Sequence, residues 1–386
     1  MTIAKPSRSS TGAFRRAGRA MAALTVVVLL ASCSSKPERP KPAELAPSAA
    51  LIGVRQAWTA RVGEVTFPLQ AQAAGGTLAV AAGDGTVALL DAASGRDIWR
   101  ASAAAPLSAG VGSDGKLAAV VITANDVVAL ADGKVLWRQK LPAQVYAAPL
   151  VAGARVFVLA ADRSVTAFDG QTGRRLWTQQ RPGEALILRQ AGVILAVGDT
   201  LVVGQAGRLV GMNPINGSAR WDAPIATPRG TNDIERLVDL VAGVSRLGDS
   251  VCVRAFQASV GCVNAARGAV QWTKPANAAV GVHGDDRHVY GTESDGRVVA
   301  WRRADGERAW STDRLQYRTL TAPLALGRSV VIGDSTGLVH LLSREDGTPL
   351  NRLTTDGSAV VAAPVLAGGT LVVVTRNGGV FGYAPE

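Results

Sequence analysis

From residue 55 onward the chain alternates short apolar runs with turn residues, and that alternation is itself repeated. One unit reads Asp84-Gly85-Thr86-Val87-Ala88-Leu89-Leu90-Asp91, followed by Gly95 and Trp99. It returns at Asp162, Val165, Ala167, Phe168, Asp169, Gly173 and Trp177, and again at Asp295-Gly296-Arg297-Val298-Val299-Ala300-Trp301, Gly306 and Trp310. Weaker copies run from Asp126 to Trp137, Gly207 to Trp221 and Ser259 to Trp272. A further copy, Thr336-Gly337-Leu338-Val339-His340-Leu341, leads to Gly347 but lacks its tryptophan, and Leu353 lies near that place. The last copy, Asn377-Gly378-Gly379-Val380-Phe381-Gly382-Tyr383, stops with the chain.

Each part of the unit has a physical reading. Asp-Gly or Asn-Gly makes a tight turn between antiparallel strands. Val-x-Ala-Leu is a strand whose faces alternate. In Asp-x-x-x-Gly the carboxylate accepts backbone hydrogen bonds and the glycine takes a positive φ. The tryptophan opens an outer strand and fills the gap against the neighbouring unit. Five units open on a proline pair, at Pro68-Leu69, Pro106-Leu107, Pro149-Leu150, Pro323-Leu324 and Pro364-Val365. Proline at the first residue of a strand leaves the hydrogen-bond ladder intact.

From Trp58 to Trp310 the repeated tryptophans stand on average 42 residues apart. That period suits four short strands per unit, the blade of a β-propeller. Eight turn motifs are present. The eighth has no outer strand because the chain ends at Glu386, and Trp58 has no turn motif before it. The strand around Trp58 therefore completes the blade begun at Asn377. The expected fold is all-β, an eight-bladed propeller of four-stranded antiparallel blades over residues 55–386, closed by pairing the N- and C-terminal strands so that no sheet edge is left open at the join.

The apolar share of 47% supports a large core, and 43 glycines suit many tight turns. The formal charge of +11 is concentrated at the start. Residues 1–32 hold five basic residues and no acid, and without them 36 basic residues face 30 acidic ones. No dense basic run with interleaved aromatics occurs, so nucleic acid is not an expected partner.

Residues 1–32 read as a lipoprotein signal peptide. A basic stretch ends at Arg19, residues 21–30 are apolar, and Leu30-Ala31-Ser32-Cys33 follows. The apolar run is too short to span a bilayer, which takes roughly 20 residues. The motif resembles the lipobox of bacterial lipoproteins, which implies lipidation of Cys33 as the first mature residue. Ser34, where aspartate would retain such a protein at the inner membrane, implies the outer membrane, lipid-anchored on its periplasmic face. Residues 33–54 include Ser35-Lys36-Pro37-Glu38-Arg39-Pro40-Lys41-Pro42 and read as an extended Pro-rich tether outside the core.

Cys252 and Cys262 flank a hairpin. A pairing that sets them opposite each other would bridge them in an oxidising compartment; otherwise they are two small buried hydrophobes. Two cysteines and the scattered His283, His288 and His340 do not make a metal site. The repeated Trp, Asp and Gly recur too often to form one catalytic centre. No catalytic residue and no cofactor is expected.

The Gly-x-Val-x-Ala-Leu-Asp-x-x-x-Gly-x-x-x-Trp pattern is similar to the PQQ-like propeller repeat. With the lipobox before it, the chain over residues 33–386 resembles the BamB (YfgL) family of outer-membrane protein assembly lipoproteins. The resemblance implies a non-enzymatic scaffold of the β-barrel assembly machinery that binds BamA. It also admits unfolded outer-membrane proteins as clients, added as strands at a blade edge. Ala185-Leu186-Ile187-Leu188-Arg189 is similar to a family segment whose leucines and arginine contact BamA, which carries over to Leu186, Leu188 and Arg189. Residues 229–239, Arg229-Gly230-Thr231-Asn232-Asp233-Ile234-Glu235-Arg236-Leu237-Val238-Asp239, resemble a second family loop and fall in the longest Trp-to-Trp interval, 51 residues. Asp239 matches an interface acid there, whereas the family's second acid is replaced by Val241. Read without the resemblance, Leu186 and Leu188 are alternating core positions and the second loop is a solvated surface. Two other functions share the repeat. A periplasmic adaptor with another partner would differ only in these two loops. A PQQ-dependent dehydrogenase would need adjacent cysteines and a cluster of acids for Ca²⁺, and here the cysteines are ten residues apart.

Overall fold

The computed structural model describes residues 1, 2, 4, 40–48, 50–181, 187–232 and 236–386. Cys33 and Leu186 lie outside the described residues. Residues 42–386 form one compact unit. Among the described residues there are 32 strands and no helix. The strands make eight four-stranded antiparallel sheets. Seven sheets use four strands consecutive in sequence, and the eighth uses the last three and the first.

That eighth sheet is the predicted closure. Strand β1 (Val54–Arg61) pairs antiparallel with β32 (Gly379–Pro385), setting Ala60 opposite Val380 and Trp58 opposite Gly382. Around the ring the innermost strand of each sheet neighbours that of the next, as β2 (Gln72–Ala74) does with β6 (Gly112–Ser113) on one side and β30 (Val365–Ala367) on the other. The inner proline pairs begin strands at Leu150, Leu324 and Val365. In blades one and two the strands start several residues after Pro68 and Pro106.

The middle strands carry the core. Leu78, Val80, Val87 and Leu90 of blade one are fully buried, and equivalent positions recur in the other blades. Outer strands are largely exposed but share one device. In every blade the register of the outer strand slips by one residue immediately before the tryptophan position, as between Leu89–Trp99 and Leu90–Asp97. Such a bulge re-aims the side chain that follows it. In six of the seven tryptophan-bearing blades the indole then lies over the glycine turn of the next blade. A Cβ on Gly95 would stand 2.3 Å from Trp58, one on Gly173 2.6 Å from Trp137, and one on Gly306 2.5 Å from Trp272. These glycines also have positive φ (+69°, +70° and +74°), so the turn needs glycine on both counts. The indole N–H donates to a carbonyl three residues before the glycine: Trp58 to Ala92, Trp137 to Gly170, Trp177 to Pro214, Trp272 to Arg303 and Trp310 to Arg344. The repeated Asp accepts within its own turn, as Asp91 does from the amide and hydroxyl of Ser94.

Two details sharpen the sequence reading. In blade seven the residue in the tryptophan register is Asn351, opposite Leu341 and two positions before Leu353. The Gly-to-Trp spacing of four in the other copies, applied to Gly347, points to the same residue. The final part of the tether is also not free of the propeller. The amide of Ala43 donates to Gln316 O at 2.9 Å and that of Leu51 to Leu350 O at 2.7 Å, and Leu45 packs against the core of blades six and seven.

Cys252 in β19 (Ser250–Ala255) and Cys262 in β20 (Ser259–Asn264) are direct cross-strand partners and are joined by a disulfide. Both are fully buried between blades five and six.

Candidate functional site

Connections from the outer strand of one blade to the inner strand of the next emerge on one face of the ring, and three consecutive ones meet there. The first, between blades two and three, contributes Tyr146. The second runs from β13 (Arg175–Gln179) to β14 (Ile194–Val197) and contributes residues 187–192. The third runs from β17 (Ala219–Pro224) to β18 (Leu240–Leu247) and contributes residues 236–239.

The second and third connections are tied by backbone. Gly192 forms an antiparallel bridge to Val241, and Ala242 N donates to Ala191 O at 2.8 Å. A side chain completes the join: Asp239 Oδ2 accepts from Leu188 N at 2.9 Å. Leu188 is half-buried and Arg189 is exposed, with its guanidinium over the Tyr146 ring at 5.6 Å from the centroid. That geometry holds a flexible cation by its aromatic neighbour while leaving it in solvent. Tyr146 is itself oriented by donating to Gln144 Oε1.

Behind these groups lies a cavity of about 60 Å³ lined by Tyr146, Leu159, Arg163, Leu188, Gln205 and Asp239. Burial pushes the Asp239 carboxyl above its ordinary range, and the Leu188 amide and the Arg163 charge only partly offset it. The site therefore offers an apolar edge at Leu188, an exposed cation at Arg189 and a half-buried acid at Asp239 within one patch.

Three sequence-predicted residues thus meet, although Leu188 and Asp239 are 51 positions apart. Val241, where the family carries an acid, is 2% exposed, so it belongs to the floor of the site. Its cross-strand neighbour Arg254 is fully buried and takes its counter-charge from Glu293 at 2.9 Å. The sequence reading missed Tyr146, Arg163 and Gln205. Tyr146 stands outside the tryptophan register in a connection next to blade three, and an aromatic out of register was the available signal. Among the described residues no group of three or more metal-binding side chains converges. His340 is spent on Asp334, and His283 accepts from Ala325 N. No helix of the described residues is long and apolar enough to cross a membrane.

A family profile described as "Outer membrane protein assembly factor BamB" matches residues 83–312. The chain is 39% identical over 377 residues to the Burkholderia pseudomallei protein of that description, covering 96% of this chain and 99% of the relative. The chain belongs to the BamB family. The crystal structure of BamB from Moraxella catarrhalis superposes with a TM-score of 0.78 at 22% identity, over 86% of this chain and 99% of that one. A quinohemoprotein alcohol dehydrogenase from Comamonas testosteroni shares the fold at a TM-score of 0.66 and 14% identity, over 89% of this chain and 79% of that one. At that distance the likeness is one of architecture, and function is argued from the site.

Proposed function

We propose that this chain is a non-enzymatic scaffold for the assembly of β-barrel proteins into the outer membrane, held there by a lipid on Cys33, and that the patch of Leu188, Arg189 and Asp239 docks BamA. The observation that carries this reading is the Leu188–Asp239 hydrogen bond. It builds one surface out of the two segments whose sequences resemble the family's contact loops. The chemistry fits a protein partner. A small apolar area beside an exposed arginine and a half-buried carboxylate makes a compact centre of affinity with charge to fix orientation. Leu186, two residues before Leu188, is assigned to the same surface by the family resemblance.

The test is co-purification of BamA with the full-length lipoprotein. Arg189→Glu, and separately Leu186→Asp with Leu188→Asp, are expected to abolish it while the melting temperature stays within a few degrees of the parent, because Arg189 is exposed and Leu188 is only half-buried. Undiminished BamA recovery from either variant removes the patch from the interface.

A further inference from the structure

Seven outer strands carry a tryptophan and one does not, and the exception falls where the receiving turn is missing. In six of the seven tryptophan-bearing blades the indole lies over the glycine turn that joins strands three and four of the next blade; Trp99 of blade one meets Gly133 only through its Cβ, at 3.6 Å. Blade eight has no such turn, because its third strand, β32, ends at Pro385 and its fourth, β1, starts at Val54. A tryptophan in blade seven would find no glycine to cover and no turn carbonyl to bond.

The gap is filled by the segment that leads into β1. Asn351, which stands in the tryptophan register of β29 (Pro349–Thr354), donates from Nδ2 to Ile52 O at 2.8 Å. This bond has the same logic as the indole bonds: a side-chain N–H of one blade reaches a backbone carbonyl just beyond the strand edge of the next. Asn351 Oδ1 accepts from Ser48 Oγ at 3.1 Å, and Leu51 N donates to Leu350 O. Arg352 Nη2 donates to Ala46 O at 3.0 Å, and Arg318 Nη2 to Ala43 O at 3.3 Å. Ile52 and Val54 pack on the core that holds Leu353, Leu371 and Tyr383. Two arginines, one asparagine and the strand backbone of blade seven thus grip the chain at five points between Ala43 and Ile52. A solvated linker has no cause to be held that way.

We propose that residues 43–48 and 50–53 are a strap that replaces the missing tryptophan lock. The outer edge of blade seven is a docking groove for the chain's own N-terminal lead, and the ring is completed at this seam only when the strap is seated. The strap is separate from the Leu188–Arg189–Asp239 patch, so the two assignments stand or fall independently.

Hydrogen–deuterium exchange on the full-length protein tests this directly. In the parent, the amides of Ala43 and Leu51 are expected to exchange far more slowly than free-chain amides. In an Asn351→Ala/Arg352→Ala variant both are expected to speed up at least roughly tenfold, together with amides of β29 and β1, while blades three to five and BamA recovery are unchanged. Free-chain exchange at Ala43 and Leu51 in the parent overturns the proposal without any variant. So does a folded double variant in which their protection, and that of β29, is unaltered.

Discussion

Between blades five and six, Trp272 covers Gly306, donates to Arg303 O at 2.8 Å and is 7% exposed. Between blades seven and eight, Asn351 occupies the same register and bonds a strap from the other end of the chain. The first seam is fastened locally, by an apolar core and by a buried Arg254–Glu293 pair at 2.9 Å that crosses it. Its core joins Trp272 with Cys252, Cys262, Val282, Val289 and Trp301, and the disulfide lies inside it. The second seam also has an apolar core, with Leu341, Leu353, Leu371 and Tyr383, but in the indole's place it has amide and arginine hydrogen bonds to a segment some 300 residues away in sequence. Burying an indole is worth several times a single hydrogen bond exchanged with water. Most seams of the ring are thus fastened by the same repeated device, and the seam next to the join of the two ends is fastened by one specific to that place.

The largest break in this comparison should come from Trp272→Ala. Removing a buried indole is expected to cost about 3–5 kcal/mol in chemical denaturation, whereas Asn351→Ala should cost about 1 kcal/mol. Similar losses at the two positions would show that the seams are not fastened by different means. Next in size is the disulfide. Replacing Cys252 and Cys262 together by alanine opens a ten-residue loop and is expected to cost about 2–3 kcal/mol, with faster amide exchange confined to blades five and six. An unchanged melting temperature in the double alanine variant would mean that the bridge contributes nothing to the apolar seam.

The smallest effect is a pH dependence at the second seam. Burial pushes the Asp334 carboxyl up, but hydrogen bonds from His340, Thr336 and the Leu338 amide outweigh it and hold the group well below the usual carboxylate range. Asp334 also pairs with Arg318, one of the residues that grips the strap. A carboxyl depressed in the folded state contributes stability that is complete above its unfolded value, near pH 4, and is lost as the pH falls further. Exchange in blade seven and the strap should therefore rise as the pH is lowered from about 5 to about 3, and less so in an Asp334→Asn variant, which has no carboxyl there to protonate. Exchange there that does not change over this range would remove Asp334 from the fastening of the strap.

These outcomes bear on how much could be read before the fold was known. The Asp-Gly turns, the apolar alternation and the Trp period gave the blade, since each depends on residues within about 40 positions of one another. The count of half-blades at the two ends gave the closure between Trp58 and Val380. The empty tryptophan place was located only to within two residues by its apolar neighbour Leu353, whereas the spacing from Gly347 through the bulge lands on Asn351. Tyr146 carried one local signal, an aromatic out of the tryptophan register, and Arg163 carried none. Their role exists only once three connections are folded onto one face. Leu188, Arg189 and Asp239 were found through family likeness, not through periodicity, which assigns Leu188 to the core.

By itself, then, the amino-acid order determined the blade, the number of blades and the pairing of the chain's ends, because hydrophobic alternation and turn chemistry act over a few residues and the repeat multiplies their signal. Only the tertiary structure decided that Asp239 meets the Leu188 amide, that Val241 is floor and not rim, and that the lead before Val54 straps blade seven. Those contacts span 51 to about 300 positions, and no local energy term links residues so far apart until the ring has closed.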